Sequence, residues 1–238
     1  MKIAATVKSR IDAISDERII TYDDFKDLGE FQAVAMNLSR LQKAGIIKRL
    51  SKGRYYKPRI TKFGTVAPSD NEILKSVLAK GGYIAGPVAI NRLGITTQVP
   101  GEILIGGSQS NRKLQLGNLR FKFIKGADNR ESYSDSSVIN IFEALRLLKK
   151  TPDGQIDRTM IRIKSALSEL SAEQMKSLIN LSLKGRPFIR ALLGSLLEDL
   201  DIALSFRDIL KNSLNPLSIY KLGIPNSLIK SKDAWRIK

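Results

Sequence analysis

At 238 residues the chain is long enough for one large domain or two small ones with cores of their own, and its 40 Lys and Arg against 23 Asp and Glu leave a formal charge of +17. An excess of that size, with a pI near 10.1, implies a polyanionic partner, nucleic acid ahead of a membrane surface. With no cysteine and no histidine, disulfides, thiolate nucleophiles, thiolate and imidazole metal sites and the commonest general base are excluded, leaving only carboxylate-held magnesium chemistry to be tested.

No run approaches eighteen uninterrupted apolar residues, and the N-terminus interleaves Lys2, Lys8 and Arg10 with apolar positions rather than presenting a signal-peptide core. A cytoplasmic protein with no membrane partner is expected. Ile3, Val7, Ile11 and Ile14 form one helical stripe, which predicts a first amphipathic helix over residues 3 to 14. Ile19 and Ile20 read as a brief extended stretch. Thr21 can then cap a short helix, YDDFKDLG, whose Asp23 and Asp24 suit a helix N-terminus and whose end is Gly29.

A third, longer helix is predicted from Phe31, with Phe31, Val34, Leu38 and Leu41 turned toward a small core and Gln32, Met36, Arg40 and Lys43 turned outward. Gly45 is the expected stop. The runs IIKRL and RYYKP, joined by Ser51, Lys52 and Gly53, then read as a basic hairpin. Short helix, turn, longer helix and hairpin is the order of a winged helix-turn-helix, in which the second helix of the motif enters the major groove and the wing follows the phosphates. On that reading Gln32 serves adenine and Arg40 guanine, Ala33 permits close approach, Lys43 and Lys48 reach phosphate, and Lys48, Arg49, Lys52 and Arg54 are the wing charges. The competing reading of the same residues is a hydrated amphipathic helix followed by an ordinary hairpin.

Residues 59 to 70 show little periodicity and read as a linker, which sets a winged helix-turn-helix domain at 1 to 65 and a second domain at 70 to 238. The second begins with short helices over 71 to 80 and 86 to 93, separated by a break at GGY. Three strands follow at 102 to 107, 113 to 117 and 119 to 126, with Gly117 and Asn118 as a tight turn. Amphipathic helices are then expected over 138 to 149, 157 to 170, 172 to 183 and 187 to 200, with Ser171 and Gln174 as a capping box and Pro187 just inside a helix start. The Leu-rich run at 188 to 200 reads as core. The tail, with Trp235, reads as ordered coil docked on the body. The fold class expected is α+β: a winged helix, a mixed α/β part and a mostly helical C-terminal part.

One stretch suggests chemistry. Gly106, Gly107 and Ser108 after a strand resemble the start of a nucleotidyltransferase phosphate loop. Such an enzyme needs paired carboxylates on the following strand to hold Mg²⁺, yet that strand carries Arg120 and Lys122, while Asp128 and Glu131 come only later. The Gly-Gly-Ser is therefore expected to be a hairpin loop, with Arg112 and Lys113 available to bind a phosphate of RNA or DNA. No Walker sequence and no nucleophile elbow occurs. No catalytic residue, cofactor or metal is expected.

Five words of the sequence resemble one family: LSRLQKAGIIKRLSKGRYYKP at 38 to 58, LGITTQVPGEILI at 93 to 105, SNRKLQLG at 110 to 117, ALLGSLLED at 191 to 199 and SLNPLSIYKLGI at 213 to 224. They are similar to the AbiEi-type antitoxins of abortive-infection toxin–antitoxin systems, which serve in phage defence, and in particular to a branch catalogued as a domain of unknown function. The resemblance implies a transcriptional autorepressor that binds promoter inverted repeats through its winged helix and neutralises a nucleotidyltransferase-like toxin, directly or through the toxin's RNA target, by its C-terminal domain. It assigns DNA contact to Gln32, Met36, Arg40 and Lys43 and to a wing bearing Lys48, Arg49, Lys52, Arg54 and Tyr55. The alternative is an RNA-binding protein, or a DNA-binding regulator without a toxin.

Overall fold

The stripe that predicts the first helix is the face that α1 (Ile3–Ala13) buries in the computed structural model, which describes residues 3–79, 81–97, 100–107, 111–125, 136–150 and 156–238. β1 (Ile19–Thr21) comes next. The short helix expected after it is a single 3-10 turn, Tyr22–Phe25, because Asp24 folds back to accept the Thr21 N–H at 2.7 Å. α2 (Phe31–Lys43) follows. Its end is fixed by Gly45 at φ +75°, where the Gly45 N–H donates to the Gln42 carbonyl and the Ile46 N–H to the Leu41 carbonyl, both at 3.0 Å, the paired bonds of a Schellman stop.

β2 (Lys48–Ser51) and β3 (Arg54–Tyr56) then form the hairpin, and β1 closes against β3 to give an antiparallel sheet in the order β1-β3-β2. Beneath it Val7, Ile11, Ile20, Phe25, Val34, Leu38 and Ile47 make a small buried core, each side chain contributing about 1.5 to 3 kcal/mol relative to exposure. Phe31, expected in that core, is instead 59% exposed. It is the first residue of α2, ahead of the turn that reaches the core, and its ring meets Tyr22 edge-on at 4.8 Å.

Residues 59 to 70 are not a linker. β4 (Arg59–Thr61) and β5 (Gly64–Val66) pair as a second antiparallel hairpin, and α3 (Asp70–Leu78) starts at once, with the Ser69 hydroxyl accepting the Glu72 N–H at 3.3 Å. The chain divides into two compact units, Met1–Lys80 with Leu114–Arg120, and Gly81–Lys113 with Phe121–Lys238. α3 thus falls with the first unit, beyond the boundary at 65 to 70 that composition suggests.

In the second part of the chain, β6 (Gly82–Ala85), α4 (Pro87–Arg92), β7 (Ile103–Gly107), β8 (Arg112–Leu116) and β9 (Leu119–Lys125) succeed one another, with sheet order β6-β7-β9-β8. Two expectations change here. The break at GGY is the strand β6, paired antiparallel with β7. Gly106 and Gly107 are not a hairpin loop but the buried end of β7, which runs parallel to β9. A side chain at Gly106 would collide with the Tyr83 ring and one at Gly107 with the Gly81 carbonyl, so these glycines serve strand packing. Ser108 lies outside the described residues.

α5 (Ser136–Leu147) is buried continuously from Val138 to Leu145 and is the centre of the second core. A helix enclosed on all sides needs apolar residues nearly all round, and this one has them apart from Asn140 and Glu143. α6 (Ile156–Ser168), α7 (Ala172–Leu183), α8 (Pro187–Asp199) and α9 (Leu204–Asn212) complete the unit. The expected capping box is present, the Gln174 amide oxygen accepting from Ser171 N–H at 2.8 Å and Ser171 Oγ from Gln174 N–H at 3.2 Å. The tail docks as expected. Trp235 is buried against Gly194 of α8 and donates its indole N–H to Glu198 at 2.7 Å. The architecture is α+β, and among the described residues no helix is long and apolar enough to cross a membrane.

Candidate nucleic-acid interface

From Phe31 to Ser69 the chain contains no Asp or Glu, but nine cations: Arg40, Lys43, Lys48, Arg49, Lys52, Arg54, Lys57, Arg59 and Lys62. Most acids of the first unit precede this stretch, Asp70 and Glu72 follow it, and several are already neutralised. Arg10 grips Asp27 with two bonds of 2.7 and 2.8 Å, Arg18 meets Asp24 at 2.9 Å, and Arg59 meets Glu17 at 2.7 Å. The hydrogen bond between them raises the Arg10 pKa and holds the Asp27 carboxyl below its ordinary range. Lys57 donates to the carbonyls of Asp12 and Ile14, both at 3.0 Å.

On α2, Gln32, Met36, Arg40 and Lys43 are exposed and Ala33 is half-buried, while Val34 and Leu38 hold the opposite face in the core. Arg40 and Lys43 also lie in the last turn, where the helix dipole favours positive charge. On the first hairpin, Lys48, Arg49 and Lys52 are exposed, with Gly53 at φ +72° making the turn that carries Lys52. Among the described residues no ion pair occupies Arg40, Lys43, Arg49 or Lys52. Lys48 hydrogen-bonds the Thr65 hydroxyl of the second hairpin. Arg54 and Tyr55 are half-buried, Tyr55 packing on the small core from the middle of β3. The two elements so arranged present cations and hydrogen-bonding side chains without a competing carboxylate, which suits the phosphates and base edges of a nucleic acid.

The second set of candidate residues is more engaged. The Arg112 guanidinium lies 4.5 Å from the centre of the Phe123 ring and Lys113 pairs with Glu102 at 3.2 Å. On β9, Arg120 and Lys122 are exposed, alternating with buried Phe121 and Phe123. Asp128 and Glu131 lie outside the described residues. Among the described residues no three His, Cys, Asp or Glu side chains gather as a metal site would require.

Three features of the second unit escape a reading of the sequence. Glu143, fully buried in α5, accepts the Gly86 N–H at 2.8 Å and two bonds from Arg146 at 2.9 and 2.5 Å. Its isolation in the apolar run VINIFEAL was the available signal. Asp199, with a side chain 4% exposed, accepts from Lys164 at 2.9 Å, from Ser231 Oγ at 2.8 Å and from the backbone N–H groups of Ser231 and Lys230 at 3.0 and 3.1 Å. Burial pushes its pKa up, but these four bonds, that of Lys164 first, outweigh burial and leave it lowered. Finally, a cleft of about 350 Å³ is lined by Arg146, itself bonded to Glu143, and by Lys150, Arg186 and Lys221 together with Phe188 and Tyr220; among the described residues its lining includes no acid. Its residues are scattered between positions 146 and 222, so no local motif announces it.

The chain belongs to DUF6088, a family of unknown function, whose match extends over residues 6–175. No curated protein matches it. Among solved structures it is similar to the RV2827C protein from Mycobacterium tuberculosis, at 16% identity and a TM-score of 0.47, over 92% of this chain and 84% of that one.

Proposed function

We propose that this DUF6088 chain is a sequence-selective DNA-binding repressor whose first unit is a winged helix, and that it acts as the antitoxin of a toxin–antitoxin pair. The observation that carries the DNA-binding reading is the acid-free run of cations on α2 and the β2–β3 hairpin, seated on a three-stranded sheet in the order β1-β3-β2. α2 is the recognition helix, with Gln32 and Arg40 toward base edges and Met36 between them. Lys43, Lys48, Arg49 and Lys52 contact phosphate. The antitoxin role rests on the resemblance of the sequence to AbiEi-type antitoxins. It assigns neutralisation of a nucleotidyltransferase-like toxin to the second unit, with no catalytic step by this chain.

The experiment is binding of the full-length protein to duplex DNA from upstream of its own coding sequence and to a scrambled duplex, at near-physiological salt. Selective binding is expected, with Arg40→Ala losing about 1 to 3 kcal/mol on the upstream duplex alone and Lys52→Ala weakening both duplexes alike. Equal loss on both duplexes in both variants would overturn the assignment. Co-expression with a neighbouring nucleotidyltransferase-like protein tests the antitoxin role: growth restored by the full chain is expected.

The cleft in the second unit favours a second reading. Its cations Lys150, Arg186 and Lys221 and its rings Phe188 and Tyr220 suit a nucleotide or the end of an RNA strand. If RNA is the physiological polyanion, short single-stranded RNA will compete with the upstream duplex, and Arg186→Glu will remove RNA binding while leaving duplex binding unchanged.

A further inference from the structure

The β4–β5 hairpin, which composition reads as a linker, ends in an apolar tip. Phe63 is 101% exposed and Ile60 81%. A lone exposed apolar residue is unremarkable, but this one is held in place. The Thr61 hydroxyl accepts the Phe63 N–H at 3.2 Å and donates to the Gly64 carbonyl at 2.9 Å, and Gly64 takes φ +113° to close the turn. The root is fastened as well, by the 2.7 Å ion pair of Arg59 with Glu17 and by Lys57 on the Asp12 and Ile14 carbonyls. The flank is tied to the first hairpin by the bond from Lys48 to Thr65. The turn therefore displays a full aromatic ring to solvent from a fastened support.

The charges around the ring identify its partner. Lys62 adjoins it in the turn, Lys48 is bonded to its hairpin, and the acid-free stretch runs on both sides of it. A protein partner with an apolar pocket would need no such field, whereas a nucleic acid offers negative charge and stacked apolar faces together. Apolar side chains flanked by Lys and Arg enter between base steps from the minor groove, and each unstacked step is compensated by new contact surface.

We propose that the β4–β5 hairpin is a second DNA-contacting finger, in which Phe63 inserts between base pairs beside the operator contacted by α2 while Lys62 holds the adjacent phosphate. This rests on the DNA-binding reading above. It adds to that reading a site, a residue and a distortion of the duplex.

The test uses the full-length protein and the upstream duplex carrying 2-aminopurine at successive flanking positions, with affinity and fluorescence read together. Wild-type protein is expected to raise fluorescence at one flanking step. Phe63→Ala should abolish that rise and weaken binding by roughly 5- to 150-fold, as loss of one aromatic–base contact does, without changing the dependence of affinity on salt, because no charge is removed. Phe63→Leu, which keeps an apolar wedge, should retain most of both signals. Since Phe63 makes no core contact, each variant should melt with the wild type. The inference is overturned if Phe63→Ala binds the upstream duplex as tightly as wild type with the same fluorescence. It is also overturned if the variant loses binding only to phosphatidylglycerol vesicles, which would make the tip a membrane anchor. Failure of the wild type to prefer its upstream duplex over the scrambled one is a different result, and removes the DNA-binding reading itself.

Discussion

Salt is the perturbation that most directly tests the proposed wing and recognition helix. Lys43, Lys48, Arg49 and Lys52 are exposed and assigned to phosphate, while Arg40 is assigned to a base. Together with Lys62 of the second hairpin, the four assigned to phosphate neutralise five phosphates, which gives a slope of log affinity against log salt near −4.5, or about a 500-fold loss between 50 and 200 mM salt. Lys52→Ala removes one contact, so its slope should flatten to about −3.6 and the loss over the same range to about 150-fold. Fluorescence anisotropy of a labelled duplex at four or five salt concentrations, on wild type and variant, measures both slopes. A wild-type slope shallower than about −1, or a Lys52→Ala slope equal to that of wild type, would refute the assignment of these side chains to phosphate, because counterion release counts the contacts whatever the sequence bound.

Three further predictions concern the second unit. Asp199→Asn leaves Lys164 without its carboxylate in a poorly exposed site and should cost about 3 kcal/mol at neutral pH, lowering the unfolding midpoint of that unit by roughly 6 to 12 °C. Because the folded Asp199 pKa lies below its unfolded value, near 3.9, the ionised carboxylate stabilises the fold above that pH and the contribution fades as pH falls through the folded value; acid titration of stability should show this component in wild type and lack it in Asp199→Asn. Gly194→Ala should destabilise, as read by thermal unfolding, although alanine is the better helix former by about 1 kcal/mol, since a Cβ there would overlap the buried Trp235 ring; a gain in stability would refute that packing. On the nucleotide reading of the cationic cleft, the wild type should bind adenosine monophosphate as measured by calorimetry and Arg186→Glu should abolish that binding, with the melting curve unchanged.

The sequence was most legible where one periodicity decided one element. The helices α5 to α8 were anticipated to within a few residues, because each has a continuous apolar face and a local start or stop such as Ser171, Gln174 or Pro187. It was least legible where pairing over distance decides. Gly82 to Ala85 reads as a break because two glycines lead it, yet β7 supplies its hydrogen bonds from twenty residues away. Gly106 and Gly107 read as a loop because nothing local shows that β7 will lie between β6 and β9, where the Tyr83 ring and the Gly81 carbonyl leave no room for side chains. At the candidate interface, the outward face of α2 followed from helical spacing, whereas Phe31 was placed inward by the same rule. Spacing sets a residue's angle about the helix but not how far along it the core extends. The second hairpin carries no such mark, because RITKFGTV alternates weakly and its Ile60 and Phe63 face water, so no buried face distinguishes it.

That inversion bears on what the first unit is built to do. Between Phe31 and Ser69 there are nine cations and no acid; Lys57 and Arg59 pair back to Asp16 and Glu17, while the exposed Arg40, Lys43, Arg49 and Lys52 repel each other when the protein is free, and an exposed Phe63 forgoes the burial that would otherwise stabilise the fold by about 2 kcal/mol. Neither feature helps α1, α2 and the sheet to fold. The residues preceding the stretch show the opposite arrangement, with Arg10 and Arg18 each set on a carboxylate and with Asp16 and Glu17 drawing Lys57 and Arg59 of the stretch into ion pairs, so the unit does neutralise charge internally where its own stability is served. A surface that departs from this rule over one continuous segment, and carries its one fully exposed phenyl ring there too, has its missing charges and its missing apolar cover in the same place. A single partner that supplies both at once is a stack of bases between phosphates.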